Sequence, residues 1–186
     1  MRTNYSFVPS HEQGLAQQRD ALAGSSSADT NAFSAALAAG GSDCFAVDKR
    51  RGEQVRLYKA VSNSGNAQCV SLFSEPNQRN EVGSMSVAPR GDTLRILTIE
   101  NCGRSKYKGV GTAMINLADR IRESAGLSSL SLISQDEGAS EFFYKKGFRF
   151  AGEGRQEKNF EMQNHIYNRT PVLDHVILVG DMERPA

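Results

Sequence analysis

The chain has little of what marks several large classes of protein. Its 186 residues include no tryptophan, and its three cysteines, Cys44, Cys69 and Cys102, lie far apart without zinc-site spacing. The 22 basic and 21 acidic residues give a formal charge of +1, so no global basic field favours nucleic-acid binding. No apolar run approaches the roughly 18 residues of a membrane span, and none near the N-terminus suits a secretory signal. We therefore expect one globular domain in the cytoplasm with reduced thiols and no metal, nucleic-acid or membrane partner.

The first 42 residues differ in composition from the rest of the chain. They are rich in serine, alanine, glycine and glutamine and carry few large apolar side chains. Weak capping and apolar signals predict two helices, from about residue 11 to 22 and from residues 27–30 to 39. We therefore divide the chain into a polar N-terminal arm, residues 1–42, and a domain, residues 43–186. The composition leaves open whether the arm contributes substrate-binding helices or is a secretion leader of the kind that bacterial effectors carry.

From residue 43 onward the hydrophobic pattern predicts short strands and two helices. Strands are expected over 44–47, 55–61, 68–73, 82–87, 94–99, 127–134, 148–151 and 176–179, and helices over 110–125 and 138–146. The turn residues between consecutive early strands indicate hairpins, and apolar groups on both faces of 94–99 indicate a central strand. Residues 152–173 read as a long polar stretch. The element order is that of an α+β domain.

The most informative segment joins the 94–99 strand to the first of these helices. A helix N-terminus offers about four free backbone N–H groups and the positive end of the macrodipole. Gly109 and Gly111 would let a ligand approach that backbone, and Lys106 and Lys108 add positive charge. These features indicate a phosphate or pyrophosphate site, although an ordinary helix start with solvated lysines is the alternative. The Walker and dinucleotide fingerprints do not fit, since Met114 stands at the third glycine of the latter.

A second motif follows in the next predicted helix, where Phe143-Tyr144 is separated from Gly147-Phe148 by two lysines. Together with Lys106-x-x-Gly109-x-Gly111, it resembles the GNAT superfamily of N-acetyltransferases over about residues 94–151. Lys106 stands where that family most often has Arg or Gln, and the Tyr-to-Gly spacer is one residue shorter than its common form. Asp136 and Glu137 lie where the family often places an Asn. The resemblance implies a central mixed, mostly antiparallel sheet flanked by helices.

The resemblance also implies an activity: transfer of an acetyl group from acetyl-CoA to a primary amine of a protein or small molecule by direct attack. It implies that a set of residues binds acetyl-CoA, the strand end contacting the pantetheine arm and the rest the pyrophosphate. These residues are Ile99, Asn101, Lys106, Lys108, Gly109, Val110, Gly111 and Thr112.

Two residues are candidates for the proton transfers of such a reaction. Tyr144 matches the family's position for the acid that protonates the leaving thiolate, and Glu100 is a candidate base at the strand end. The alternatives are a packed tyrosine and an exposed carboxylate, with His165 and His175 as other bases. Cys102 has no assignable partner, and direct transfer needs no cysteine nucleophile.

Other functions stay open on the sequence. The chain could be a catalytically silent CoA-binding or interaction module, or an exported bacterial effector, and it could form a homodimer. The acceptor amine is not identified by any motif.

Overall fold

The computed structural model describes residues 44–64 and 67–186, so the N-terminal arm and its two expected helices lie outside the described residues. Nine strands and three α-helices occur in these ranges. The strands are β1 (Cys44–Asp48), β2 (Gln54–Ser64), β3 (Ala67–Phe73), β4 (Glu81–Arg90), β5 (Thr93–Glu100), β6 (Tyr107–Lys108), β7 (Ser129–Ser134), β8 (Arg149–Phe150) and β9 (Gly180–Pro185). The helices are α1 (Val110–Ser124), α2 (Glu137–Lys145) and α3 (Arg155–Gln163), and a π-helical turn (Asn164–Asn168) follows α3.

The strands form one mixed sheet in the order β6-β1-β2-β3-β4-β5-β7-β9-β8. Every neighbouring pair is antiparallel except β5 and β7, which run parallel because the chain crosses over through α1. The fold is therefore α+β, with a mixed, mostly antiparallel sheet flanked by helices, which confirms the expected fold class.

Helix α1 covers one face of the sheet. Its apolar side is buried, including Val110, Met114, Leu117 and Ile121, as the 3.6-residue period predicts. The helix approaches β4 closely at Gly83, where an added Cβ would lie 2.8 Å from Cγ1 of Val110 and 2.9 Å from the carbonyl oxygen of Glu100. A glycine at this position therefore lets the first turn of α1 pack directly on the strand backbone.

Two expectations for the C-terminal part were wrong. Residues 176–179 are not a strand: Val176 and Leu178 are buried and Ile177 is exposed, but the strand that pairs with β7 begins at Gly180. The apolar cluster reflects the burial of two side chains in a segment that pairs with no neighbouring strand of the described sheet. The stretch 152–173 contains α3 and the π-helical turn, which its largely polar sequence did not indicate.

The helices of the described ranges include none that is long and apolar enough to cross a membrane.

Candidate functional site

The two parallel strands separate part of the way along their length. β5 and β7 pair only at Thr93–Ser129, Leu94–Leu130 and Arg95–Ser131. Beyond these pairs β5 runs to Glu100 and β7 to Ser134 without pairing to each other. A cleft of about 670 Å³ opens between them, and its walls are completed by the start of α1 and one side of α2. We call it the strand cleft.

An irregularity in β5 lies at the inner end of the strand cleft. Ser86 of β4 is opposite Thr98 and Val87 is opposite Ile96, so Leu97 is an additional residue on β5 without a partner on β4. Because β7 has already left β5 at Arg95, Leu97 also lacks a partner on the other side. A bulge of this kind bends the strand and interrupts the ladder of backbone hydrogen bonds. The backbone of β5 therefore borders the cleft from the bulge onward.

The N-terminus of α1 forms the mouth of the strand cleft. Its N-cap is Gly109, with φ of 90° and no side-chain cap, and the first intrahelical bond runs from Ala113 N to Gly109 O at 2.9 Å. The N–H groups of the first turn therefore have no capping side chain to accept them. Gly109, Gly111 and Thr112 line the cleft, whereas Val110 sends its side chain into the core.

The two lysines of the predicted anion site do not line the strand cleft. The ammonium of Lys106 lies 5.0 Å from the ring centroid of Tyr107, and its hydrogen bond with the Tyr107 phenol raises the pKa of Lys106. That bond, with a second from Ser74, lowers the pKa of Tyr107. Lys108 is exposed and pairs through its backbone with Val47 of β1. The basic residue that does line the cleft is Arg104, whose carbonyl oxygen accepts a hydrogen bond from Lys49 Nζ.

The strand-end residues of the sequence prediction come together in the strand cleft. Ile99, Glu100 and Asn101 all line it. Glu100 lies two residues beyond Thr98 on β5, so their side chains leave the same face of the sheet. The cleft therefore has a carboxylate close to the bulge, on the same strand.

Tyr144 is placed outside the strand cleft. It is buried, and its hydroxyl donates to the carbonyl oxygen of Asn159 in α3 at 3.2 Å. The guanidinium of Arg149 stacks on its ring at 4.0 Å. The α2 side chains that do line the cleft are Ala139, Phe142 and Phe143. The structure thus brings most of the predicted binding residues to the cleft but directs this hydroxyl towards α3.

The other candidates for chemistry also lie away from the strand cleft. His165 meets the carbonyl oxygen of Thr170 at 3.3 Å, and His175 meets Glu157 at 3.3 Å on the exposed surface. Cys102 is exposed and is not a lining residue. In residues 44–64 and 67–186, no group of His, Cys, Asp and Glu side chains is arranged to hold a metal ion.

The residues of the strand cleft that sequence reasoning did not assign to the site include Arg104, Gln135 and Leu97. Arg104 lies two residues before Lys106 in the sequence, and Gln135 is the polar residue directly after β7. Leu97 marks the bulge, for which the sequence does carry a signal. The apolar residues Leu94 and Ile96 alternate on one face, and the alternation resumes one residue late at Ile99.

Comparison with known proteins finds similarity at the level of solved structures. No protein-family model matches the chain, and no curated protein matches it. Similar structures include the PaiA N-acetyltransferase of Thermoplasma acidophilum in complex with coenzyme A, with 14% identity, a TM-score of 0.45 and coverage of 65% of this chain and 62% of that one. A Bacillus subtilis acetyltransferase in complex with CoA has 11% identity, a TM-score of 0.49 and coverage of 70% and 99%. A GNAT-family acetyltransferase of Staphylococcus aureus has 14% identity, a TM-score of 0.42 and coverage of 64% and 68%.

Proposed function

We propose that the chain is an acetyl-CoA-dependent N-acetyltransferase of the GNAT superfamily, which transfers acetyl to a primary amine by direct attack. The observation that carries this proposal is the strand cleft. Two parallel strands separate beside a bulge, and an uncapped helix N-terminus lies at the mouth. The cleft thus combines a strand edge, which suits an extended amide-containing arm, with an anion site, which suits a pyrophosphate.

The residues present fit acetyl-CoA. The N–H groups at the start of α1 and the guanidinium of Arg104 would hold the pyrophosphate, since both favour negative charge. The unpaired edge of β5 from Ile96 to Ile99 would accept and donate hydrogen bonds to the amides of the pantetheine arm. A cleft of about 670 Å³ lies within the usual range for small-molecule sites. Lys106 and Lys108 would contribute only through the long-range attraction between their positive charges and the pyrophosphate.

Acetyl-CoA supplies a thioester whose carbonyl carbon a neutral amine attacks. We assign the removal of the amine proton to Glu100, because its carboxylate leaves β5 on the same face as Thr98, beside the bulge. A backbone N–H at Leu97 would stabilise the negative charge that develops on the carbonyl oxygen. The nitrogen–carbon bond forms as the carbon–sulfur bond breaks, and the departing sulfur takes up a proton.

The group that donates this last proton decides between two candidate functions, an active acetyltransferase and a catalytically silent module. Tyr144 is the sequence-based candidate, but its hydroxyl would first have to leave the Asn159 carbonyl oxygen. Because the hydroxyl of Tyr144 is directed to Asn159 and away from the cleft, a second candidate function is a CoA-binding module that does not catalyse transfer. Such a module would bind acetyl-CoA as tightly as an enzyme and release no CoA thiol with any amine.

Isothermal titration with acetyl-CoA, followed by a thiol-release assay on a panel of amines, tests both readings. Arg104→Gln should weaken acetyl-CoA binding about tenfold, the loss expected for one charge-assisted contact to phosphate. Arg79→Gln, in the exposed loop between β3 and β4, is the matched control and should bind as the wild type does. Absence of binding would contradict the proposed function, and binding without turnover would favour the silent module.

A further inference from the structure

Three consecutive basic residues lie in the turn between β1 and β2. Lys49, Arg50 and Arg51 are all exposed, and we call them the basic turn. Oδ1 of Asp48 accepts hydrogen bonds from the backbone N–H groups of Arg50 and Arg51 at 2.8 and 3.1 Å. These bonds shape the turn through its main chain, so the two guanidinium groups are not needed for it and are available to a ligand.

The fold places the basic turn beside the mouth of the strand cleft. β1 pairs with β6, and beyond the last pair the backbone N–H of Lys49 donates to the carbonyl oxygen of Lys106 at 2.9 Å. Nζ of Lys49 also donates to the carbonyl oxygen of Arg104, a residue that lines the cleft. The turn is therefore joined to the loop before α1 by two hydrogen bonds, one from the main chain and one from a side chain.

The positive charge of the basic turn is only partly offset within the part of the chain that the structure describes. No acidic side chain of residues 44–64 and 67–186 forms a salt bridge with any of the three basic residues. Asp48 is the acidic residue that bonds to the turn, and its carboxylate is buried against the backbone. One side of the cleft mouth is therefore positive, although the whole chain has a formal charge of +1.

The position of this charge matches one particular group of CoA. The proposed site of the pyrophosphate is Arg104 and the first turn of α1. In CoA the pyrophosphate is joined to a ribose that carries a further phosphate on its 3′ oxygen, so a single sugar ring separates the two anionic groups. A phosphate monoester carries about two negative charges at neutral pH, and guanidinium groups bind it with paired N–H donors.

We infer that the basic turn binds the 3′-phosphate of CoA, so that the protein distinguishes CoA from dephospho-CoA, which lacks this group. This inference rests on the proposed function, because it takes the strand cleft as the CoA site. Arg50 and Arg51 contact the phosphate, while Lys49 holds the turn against the loop at Arg104. The three residues determine affinity for the acetyl donor and take no part in the proton transfers.

Titration calorimetry with CoA and with dephospho-CoA tests the inference on the full chain. The wild type should bind CoA about tenfold or more tightly, the difference expected for one phosphate held by charge-assisted hydrogen bonds. The double variant Arg50→Gln with Arg51→Gln should lose most of this preference and bind dephospho-CoA as the wild type does. Because both substitutions leave the backbone bonds to Asp48 in place, the variant should keep the wild-type Tm.

The matched control removes two positive charges at other places on the surface. Arg90→Gln with Arg155→Gln changes exposed residues at the end of β4 and at the start of α3. The net charge falls by the same amount as in the test variant, while the basic turn is retained. This control should therefore keep the wild-type preference for CoA.

Equal affinities of the wild type for CoA and dephospho-CoA would overturn the inference, and so would a preference that survives in the Arg50→Gln, Arg51→Gln variant. An equal loss of preference in the control would also overturn it, because the net charge of the protein would then be responsible. In each of these cases CoA still binds, and the proposed function is unaffected. Failure of both ligands to bind the wild type would instead refute the proposed function on which the inference depends.

Discussion

Gly111, in the first sequence motif, packs against Phe142, the residue directly before the second motif. A Cβ added to Gly111 would lie 3.0 Å from Cζ of Phe142, closer than ordinary carbon–carbon contacts. Both residues line the strand cleft, one from the first turn of α1 and the other from α2. The missing side chain at position 111 therefore leaves the helix backbone accessible to a ligand and also lets α2 pack beside it.

Replacing Gly111 with valine should disturb both functions of the glycine. We expect about a tenfold or larger loss of acetyl-CoA affinity and a stability loss of about 1–3 kcal/mol from overpacking. Titration calorimetry and urea denaturation measure the two effects. The double variant Gly111→Val with Phe142→Leu should recover part of the stability, because the shorter side chain relieves the overlap. Additive losses in the double variant would show that the two residues are not coupled.

Gly109 should resist substitution for a different reason. Its φ of 90° is in the left-handed region, and an added Cβ would meet nothing within 4 Å, so backbone strain alone is at issue. Gly109→Ala should cost about 1–2 kcal/mol in the free energy of unfolding. Gly138→Ala, in the first turn of α2 and without a positive φ, is the matched control and should cost less. Equal losses at the two positions would contradict the explanation by strain.

Much of the fold could be predicted from local patterns. The helix α1 follows from the 3.6-residue recurrence of Val110, Met114, Leu117 and Ile121, and all four are buried as that period requires. The β4–β5 hairpin follows from its turn, which the structure narrows to Gly91 and Asp92 with Gly91 at φ of 60°. Periodicity and turn chemistry act within a few residues, so a single sequence displays them.

What could not be predicted depends on tertiary contacts. Tyr144 fits its motif, yet the direction of its hydroxyl is set by Asn159 in a helix that the polar stretch 152–173 gave no reason to expect. The separation of β5 from β7 and the bulge at Leu97 likewise arise from register between distant segments. The hydrophobic pattern indicates which side chains are buried, but it does not indicate where two neighbouring strands stop pairing with each other.

The Tyr144→Phe variant distinguishes a structural role of this tyrosine from a catalytic one. Loss of the hydrogen bond to the Asn159 carbonyl oxygen should lower stability by about 1 kcal/mol. If the hydroxyl also protonates the departing sulfur, kcat should fall while KM for acetyl-CoA stays constant. Stopped-time thiol release and urea denaturation on the same preparation measure both. An unchanged kcat would remove Tyr144 from the reaction and leave it as a packing residue.

Glu100→Gln should slow transfer without weakening acetyl-CoA binding. A general base contributes about 10² to 10⁴ in rate, so we expect a fall of at least about a hundredfold in kcat/KM for the amine. Activity should recover as the pH approaches about 10, where a primary amine loses its proton to solvent without a base. Glu53→Gln, an exposed residue in the turn before β2, serves as the control. A Glu100→Gln variant with wild-type kcat/KM at pH 7 would exclude the carboxylate as the base.

Asp48 should make the stability of the β1–β2 turn depend on pH in the acid range. Its Oδ1 accepts hydrogen bonds from the backbone N–H of Arg51 at 3.1 Å and of Arg50 at 2.8 Å. These bonds, that of Arg51 foremost, hold the pKa of Asp48 below its ordinary value. Because the folded pKa is the lower one, the stabilising contribution is complete above the unfolded pKa of about 3.9. It is lost as the pH falls through the folded pKa.

Asp48→Asn isolates that contribution, since the amide oxygen can accept the same bonds without a charge. At neutral pH the variant should have a lower Tm than the wild type. The difference in Tm should narrow as the pH falls below about 4, because protonation then removes the same charge from the wild type. Glu53→Gln, at an exposed position on the same turn, is the control and should show no such convergence. A Tm difference that stays constant from neutral to acid pH would show that the charge of Asp48 does not stabilise the turn.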